Sequence, residues 1–289
     1  MNGVLAAVVS SALGGSAAAL TRYAIGASDP VTLAAFRFGI GFLLIFPFAV
    51  ASGAKFPRGA DRLAVGALGV LFFALFFFMY NIAMSLTSAA RGSLALSVLP
   101  LTTMLAAALL GREELTRRKT CGVLIAIAGV AAALSAGLAD APAGAWRGDL
   151  IMAGATVCMA LYNVWSRPLM ARSSMLGFLA AGMGCGAAAS VALAWATGGL
   201  AATRGFGSAQ WIAVLCLGVF GGAAAFYLWV YALERTTPTR VANTMTVNPI
   251  AASLLAAVLI GEPLSAHLLV GVGAVGAGIW LASSTPAAR

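Results

Sequence analysis

The sequence predicts an all-α integral membrane protein: ten transmembrane helices arranged as two inverted five-helix repeats. Three observations lead there. Hydrophobic residues make up 62% of the 289 and charged residues only 9%, whereas soluble domains carry about a quarter charged. Apolar runs recur at the length a bilayer demands, and the second half of the chain repeats the first. A mean hydropathy of +0.99 excludes secreted scaffolds, disordered tails and ordinary cytosolic enzymes. Continuous apolar runs such as 63–84 lack the alternation of barrel strands, which leaves helices as the spanning structure.

A hydrocarbon core of about 30 Å takes roughly 20 apolar residues per helix. Cutting at charged and turn-forming residues gives spans over 3–20, 30–51, 62–84, 88–110 and 120–138, then 149–165, 174–197, 210–233, 242–260 and 266–283. No Lys or Arg precedes the first run, so it lacks the basic start of a cleaved signal peptide and is expected to remain as a helix. With the amino terminus inside, Lys55, Arg58, Arg62, Arg112, Arg117, Arg118, Lys119, Arg167, Arg172, Arg235, Arg240 and Arg289 are cytoplasmic, against Arg22, Arg91, Arg147 and Arg204 outside. That excess satisfies the positive-inside rule and puts both termini in the cytoplasm, with the bacterial inner (plasma) membrane as the expected location. The net charge of +9 therefore belongs to membrane loops rather than to nucleic-acid binding. Cys121, Cys158, Cys185 and Cys216 lie in apolar runs with neither disulfide nor zinc spacing and read as small buried residues.

Sliding the chain by 149 positions superposes Arg91 on Arg240, Pro100 on Pro249, Glu113 on Glu262, Gly122 on Gly271 and Gly129 on Gly278; about 17 of 53 positions between 83–135 and 232–284 are identical. A duplicated unit is expected, with one repeat over 1–138, a linker over 139–148 and a second repeat over 149–289. Five spans per unit is odd, so the second copy enters the membrane from the opposite side, an arrangement of secondary transporters with a site at the midplane. The hairpin tips at 85–88 and 234–238 are candidate gates facing opposite sides. Pro100 and Pro249 lie mid-span and free the carbonyls of Leu96 and Met245, so each marks a hinge or a static kink.

Ionisable groups inside a bilayer are costly and therefore functional candidates. All eight acids fall at span ends or in loops, and His267 starts the last span. With no carboxylate at the midplane, the pattern favours uniport or exchange over ion-coupled pumping. Arg37 lies roughly 10 Å deep in the second span; it snorkels to the headgroups or pairs with Asp29, or else it binds a substrate carboxylate. Glu113 and Glu262 read as caps or partners of a nearby arginine. The polar candidates for a substrate cavity are Tyr80 and Asn81, Tyr162 and Asn163, Tyr227, Trp229 and Tyr231, and Asn243 and Asn248, because unpaired amides in lipid are expensive. The alternative role for each is interhelical glue. The aromatic run 72–80 has rings all round its helix, some for lipid and some for a cavity wall, which suits a substrate with an apolar body and a zwitterionic head. Gly182 with Gly186 and Gly218 with Gly222 have the spacing for close helix packing. One peripheral histidine without a buried base excludes a membrane enzyme, and no phosphate-binding loop is present for a pump. No metal site and no cofactor are expected.

Residues 87–90 (Thr-Ser-Ala-Ala), then Pro100, Gly111-Arg112-Glu113 and Gly122 to Gly129 resemble the signature half of an EamA-type unit in the drug/metabolite transporter superfamily. Arg37, within 34–38, is similar to the arginine usual there, and Thr236-Thr237, Pro249, Gly261-Glu262 and Gly271 to Gly278 supply the second copy. The resemblance implies ten helices in two inverted halves, a central cavity and metabolite export, often of amino acids; the overall look is nearest the YddG-type aromatic amino-acid exporters. The expected function is a secondary transporter of small amphiphilic metabolites, exporting aromatic or hydrophobic amino acids by alternating access through a central uncharged cavity. Transport of other metabolites or drugs, and a non-transporting scaffold or receptor, are the alternatives. Expected partners are a small-molecule substrate and the lipid bilayer, with the chain a monomer or weak homodimer.

Overall fold

The computed structural model describes residues 2–26, 28–112, 116–136, 141–263 and 266–283. Helices follow the apolar runs: α1 (Gly3–Ile25), α2 (Pro30–Ala51), α3 (Ala60–Leu86), α4 (Ala89–Leu109), α5 (Arg117–Ala136), α6 (Ala145–Ala171), α7 (Met175–Ala196), α8 (Ser208–Arg235), α9 (Pro238–Ile260) and α10 (Ala266–Ser283). Seven of these, α1 to α4 and α7 to α9, are long and apolar enough to cross a membrane, and the chain is a multi-pass membrane protein. There is no strand among the described residues. At 27 residues α6 is long enough, but Arg147, Asp149, Asn163 and Arg167 dilute its hydropathy. It begins at Ala145, so residues 145–148 are helical and Asp149 lies a turn inside the helix instead of opening it.

Short polar residues start the helices. Asp29 accepts from the amides of Val31 and Thr32 ahead of α2, with Pro30 in the first turn; Ser88, Ser174 and Thr237 accept amide bonds at the starts of α4, α7 and α9. Each satisfies a donor that the helix leaves unpaired. Glycines in the left-handed region end two others. Gly111 (φ 64°) follows α4 and lets the Arg112 amide reach back to Ala107; Gly261 (φ 67°) follows α9 and does the same for Glu262 and Ala256. Only glycine takes that turn without steric cost.

In the bundle, α1 packs on α8 and α9, α2 on α7 and α8, α4 on α6, and α5 on α10. Two wide π-type turns, over 70–76 in α3 and 217–224 in α8, interrupt the regular helix. Along the first, Phe72, Phe73, Phe76 and Phe77 turn inward while Leu75 faces out, the one-sided face that i, i+1, i+4 and i+5 spacing makes on a helix. Phe38, Tyr162 and Phe226 complete this ring cluster, with Tyr162 stacked on Phe72 at 4.2 Å and Phe226 edge-on to Phe72 at 5.3 Å. Both proline spans are also broken. Helix α4 is interrupted at Ser97–Val98 just before Pro100, and α9 tightens to a 3-10 turn over Thr244–Val247 before Pro249. The breaks meet: the Ser97 hydroxyl donates to the Met245 carbonyl at 3.5 Å.

The outside of the bundle is apolar too, with Leu43, Leu63, Leu109 and Val258 among its exposed side chains. This corrects the reading of the cysteines. Cys121 and Cys185 are exposed and Cys158 and Cys216 intermediate, because in a membrane bundle an apolar run occupies the lipid-facing side as readily as the interior.

Candidate substrate path

Polar side chains gather at three levels along the bundle. At the first, the α3–α4 turn is tied down by two carboxylates. Arg91 Nη2 meets Asp149 Oδ2 at 2.6 Å, and the Thr87 hydroxyl donates to Asp149 Oδ1 at 2.9 Å. Both members of the ion pair are buried, Arg91 at 5% and Asp149 at 7% exposure. Glu262, aimed by the Gly261 turn, accepts from the Ala89 amide at 3.1 Å, and Arg22 approaches it at 3.8 Å while donating to the Met84 carbonyl. The carboxylate therefore sits at the positive end of α4. Burial raises the Glu262 pKa above the ordinary glutamate value, only partly opposed by the Ala89 amide and the Arg22 charge.

The second level is the core. Arg37 neither snorkels nor meets Asp29. It is 3% exposed, donates through Nε and Nη2 to the Gly221 carbonyl at 3.2 and 2.9 Å, and lies over the Phe77 ring at 4.5 Å. Gly221 lies inside the π-type turn of α8, where carbonyl pairing is loosened, and α2 reaches it because a Cβ at Gly222 would stand 2.5 Å from the Arg37 carbonyl. The Nη1 atom of Arg37 is buried without a hydrogen-bond partner. Tyr80 is buried beside it, its ring 6.0 Å from the guanidinium carbon. Asn163 joins two helices to α6, accepting from the Trp229 indole at 3.0 Å and donating to the Thr103 hydroxyl at 3.5 Å. Tyr162 is buried with its hydroxyl unpartnered; Asn81 donates to the Pro30 carbonyl, and its own Oδ1 is unpartnered, like that of Asn248. Asn248 packs on Gly14 and Gly15 of α1. Tyr227, Tyr231 and Asn243 are only half-buried, with Arg235 stacked on Tyr231. Pro100 and Pro249 are buried.

Sequence reasoning missed the face of α1 at this level. Ser10 donates to the Ala225 carbonyl at 2.7 Å and Ser11 pairs with Thr244 at 2.8 Å. The pairs Ser10-Ser11 and Gly14-Gly15, four residues apart, were the available signal. Arg91 with Asp149 was missed because each residue alone looks like a loop charge.

The third level is a cavity of about 450 Å³. Ala107 and Arg112 from the end of α4, Val164, Arg167, Pro168 and Ala171 from the end of α6, and Thr237 and Pro238 from the α8–α9 turn line it. None of the residues expected in a cavity is among them, and two arginines are. Asp149 and Arg167 stand on one helix, roughly 27 Å apart, so the Arg91–Asp149 pair and the cavity occupy opposite ends of the bundle. Near the cavity end of α6, Arg172 pairs with Asp61 at 2.8 Å and the Ser174 amide donates to the Lys55 carbonyl. Glu113 lies outside the described residues.

Comparison with known proteins agrees with this architecture. The EamA-like transporter family matches the chain twice, over residues 1–135 and 146–284. The chain belongs to the EamA-like transporter family. Among its relatives, an uncharacterized transporter, YyaM, of Bacillus subtilis (strain 168) is 22% identical over 91% of this chain and 88% of that one. An uncharacterized transporter of Archaeoglobus fulgidus is 24% identical over 90% and 91%. A "Probable terminal-alkyne amino-acid exporter" of Streptantibioticus cattleyicolor is 27% identical over 79% and 75%. A solved crystal structure shares the fold with a TM-score of 0.70 at 24% identity, covering 97% of this chain and 96% of its own. As an EamA-like protein the chain is a transporter, and its polar levels are candidate stations on a route across the membrane.

Proposed function

We propose that this EamA-like transporter is a secondary carrier that exports small amphiphilic metabolites, foremost amino acids with aromatic or other apolar side chains, by alternating access. In this reading ten helices form two inverted halves, both termini are cytoplasmic in a bacterial inner membrane, and transport is uniport or exchange. The observation that carries it is the polarity of the bundle along its axis: ion pairs hold one hairpin turn to its neighbours, and an open cavity lies beside the other turn at the opposite end. A carrier caught facing one side has that asymmetry. Recurrence of a π-type turn and of a proline break in each half supports the inverted pair. The amino-acid preference is supported by the relative named as an amino-acid exporter and by Arg37, a buried cation with a spare donor among aromatic rings, suited to a carboxylate on an aromatic body.

Counterflow in proteoliposomes tests the reading. Labelled phenylalanine and leucine are expected to exchange saturably against internal unlabelled substrate without a proton or sodium gradient, with arginine and cationic drugs poorly moved. Absence of saturable flux for any of these overturns carrier function, strong drug uptake overturns the amino-acid preference, and an obligatory ion gradient overturns uniport and exchange.

A further inference from the structure

The cavity between the ends of α4 and α6 and the α8–α9 turn has a composition that the core does not share. Two guanidiniums, Arg112 and Arg167, line it, and neither forms an ion pair or hydrogen bond among the described residues. Two unpaired like charges facing one space repel, and an anion between them removes that cost. The remaining wall is largely apolar, from Ala107, Val164, Pro168 and Pro238. Pro168 lies inside α6 and has no amide hydrogen, so the carbonyl of Val164 loses its helical donor and is left as an acceptor on a residue of the same wall. Arg112 owes its position to the Gly111 turn, and Arg167 precedes the α6 proline. Donor forks, one acceptor and apolar walls within about 450 Å³ match a compact amphiphile carrying a carboxylate.

We propose that this vestibule is a loading subsite, separate from the Arg37 level, in which Arg112 and Arg167 clasp the carboxylate of an apolar α-amino acid while the Val164 carbonyl accepts from its ammonium group. The inference rests on the carrier reading for its role, but not for its occupancy. Oxyanions of two origins fit guanidinium forks, a free carboxylate and a phospholipid phosphate; the apolar wall and the orphaned carbonyl favour the carboxylate.

The test measures binding first and transport second. Purified full-length protein in nanodiscs of phosphatidylcholine alone is titrated with labelled phenylalanine, with phenylalaninamide as the probe lacking a carboxylate. Phenylalanine is expected to bind with the amide at least tenfold weaker. Arg112→Gln and Arg167→Gln each weaken phenylalanine about tenfold, and Arg167→Lys recovers only part, since an ammonium lacks the fork. Both side chains are exposed, so the variants should match the parent in yield and melting temperature. In proteoliposomes the same substitutions raise KM for flux from the cavity side about tenfold, with kcat unchanged.

Equal affinity of parent and both variants, or equal binding of acid and amide, overturns the subsite. So does a parent site that phosphatidylglycerol in the disc blocks at millimolar phenylalanine, which assigns the arginines to a lipid headgroup. Charge-dependent binding without any transport keeps the subsite and overturns the carrier; transport with binding indifferent to both substitutions does the reverse.

Discussion

Asn163 shows what one side chain does inside an apolar bundle. Its amide joins the α8 indole of Trp229 to the α4 hydroxyl of Thr103 through α6, so removing it orphans a buried donor. Asn163→Leu is expected to cost about 1 to 3 kcal/mol, read as a lower unfolding midpoint in detergent. Adding Trp229→Phe should cost less than the sum of the two single changes; strict additivity would mean that the bond carries nothing. Glu262 makes a second case. Its pKa is raised because burial penalises the ionised form, so the folded protein holds this proton more tightly than the unfolded chain. The stability it contributes is full below the ordinary value of 4.5 and is lost as pH rises through the raised value. Relative to the Glu262→Gln variant, the parent melting temperature should fall as pH climbs through that window. Parallel curves would show no coupling. Arg37 was legible as a candidate from its depth alone, but its true partner, the Gly221 carbonyl 184 residues away, was not, because a backbone acceptor leaves no trace in a residue pattern.

Among the elements, close helix contacts separate glycines that look alike in sequence. A Cβ on Gly69 would strike the Gly182 carbonyl, whereas a Cβ on Gly182 finds its nearest neighbour at 3.6 Å. Gly69→Ala should therefore lower yield and melting temperature sharply while Gly182→Ala stays near the parent; a reversed order would contradict the α3–α7 contact. The expected pair Gly218 and Gly222 does face α2, at Ile40 and Arg37. The proline breaks give a dynamic prediction. Since the α4 and α9 breaks touch through Ser97 and Met245, Pro100→Ala and Pro249→Ala should each slow counterflow several-fold at normal expression, and an unchanged rate reduces the breaks to static kinks. The span over 30–51 matches its helix end for end, because Asp29 with Pro30 is a strong local signal. The π-type turns were not legible, because an apolar run reads alike in a regular and a widened helix.

For the whole molecule, orientation is the claim most open to a simple test. Lys55, Arg62, Arg112, Arg167 and Arg172 come from three separate stretches of sequence, and in the fold the Arg172–Asp61 pair and the Ser174–Lys55 contact join two of those stretches. Reporter tags on the two termini should both read cytoplasmic, and tags on opposite sides would end the two-times-five topology. By itself the sequence determined the membrane class and the position of the helices. Each of these depends on composition or local spacing that water and lipid enforce directly. The tertiary structure alone decided which face of each helix turns inward, that Arg91 meets Asp149 across 58 residues, and that Arg112 and Arg167 line one cavity at the end of the bundle. Lipid is as apolar as the protein core, so helices here show no hydrophobic face to read, and only packing distinguishes the side that meets a neighbour from the side that meets the membrane.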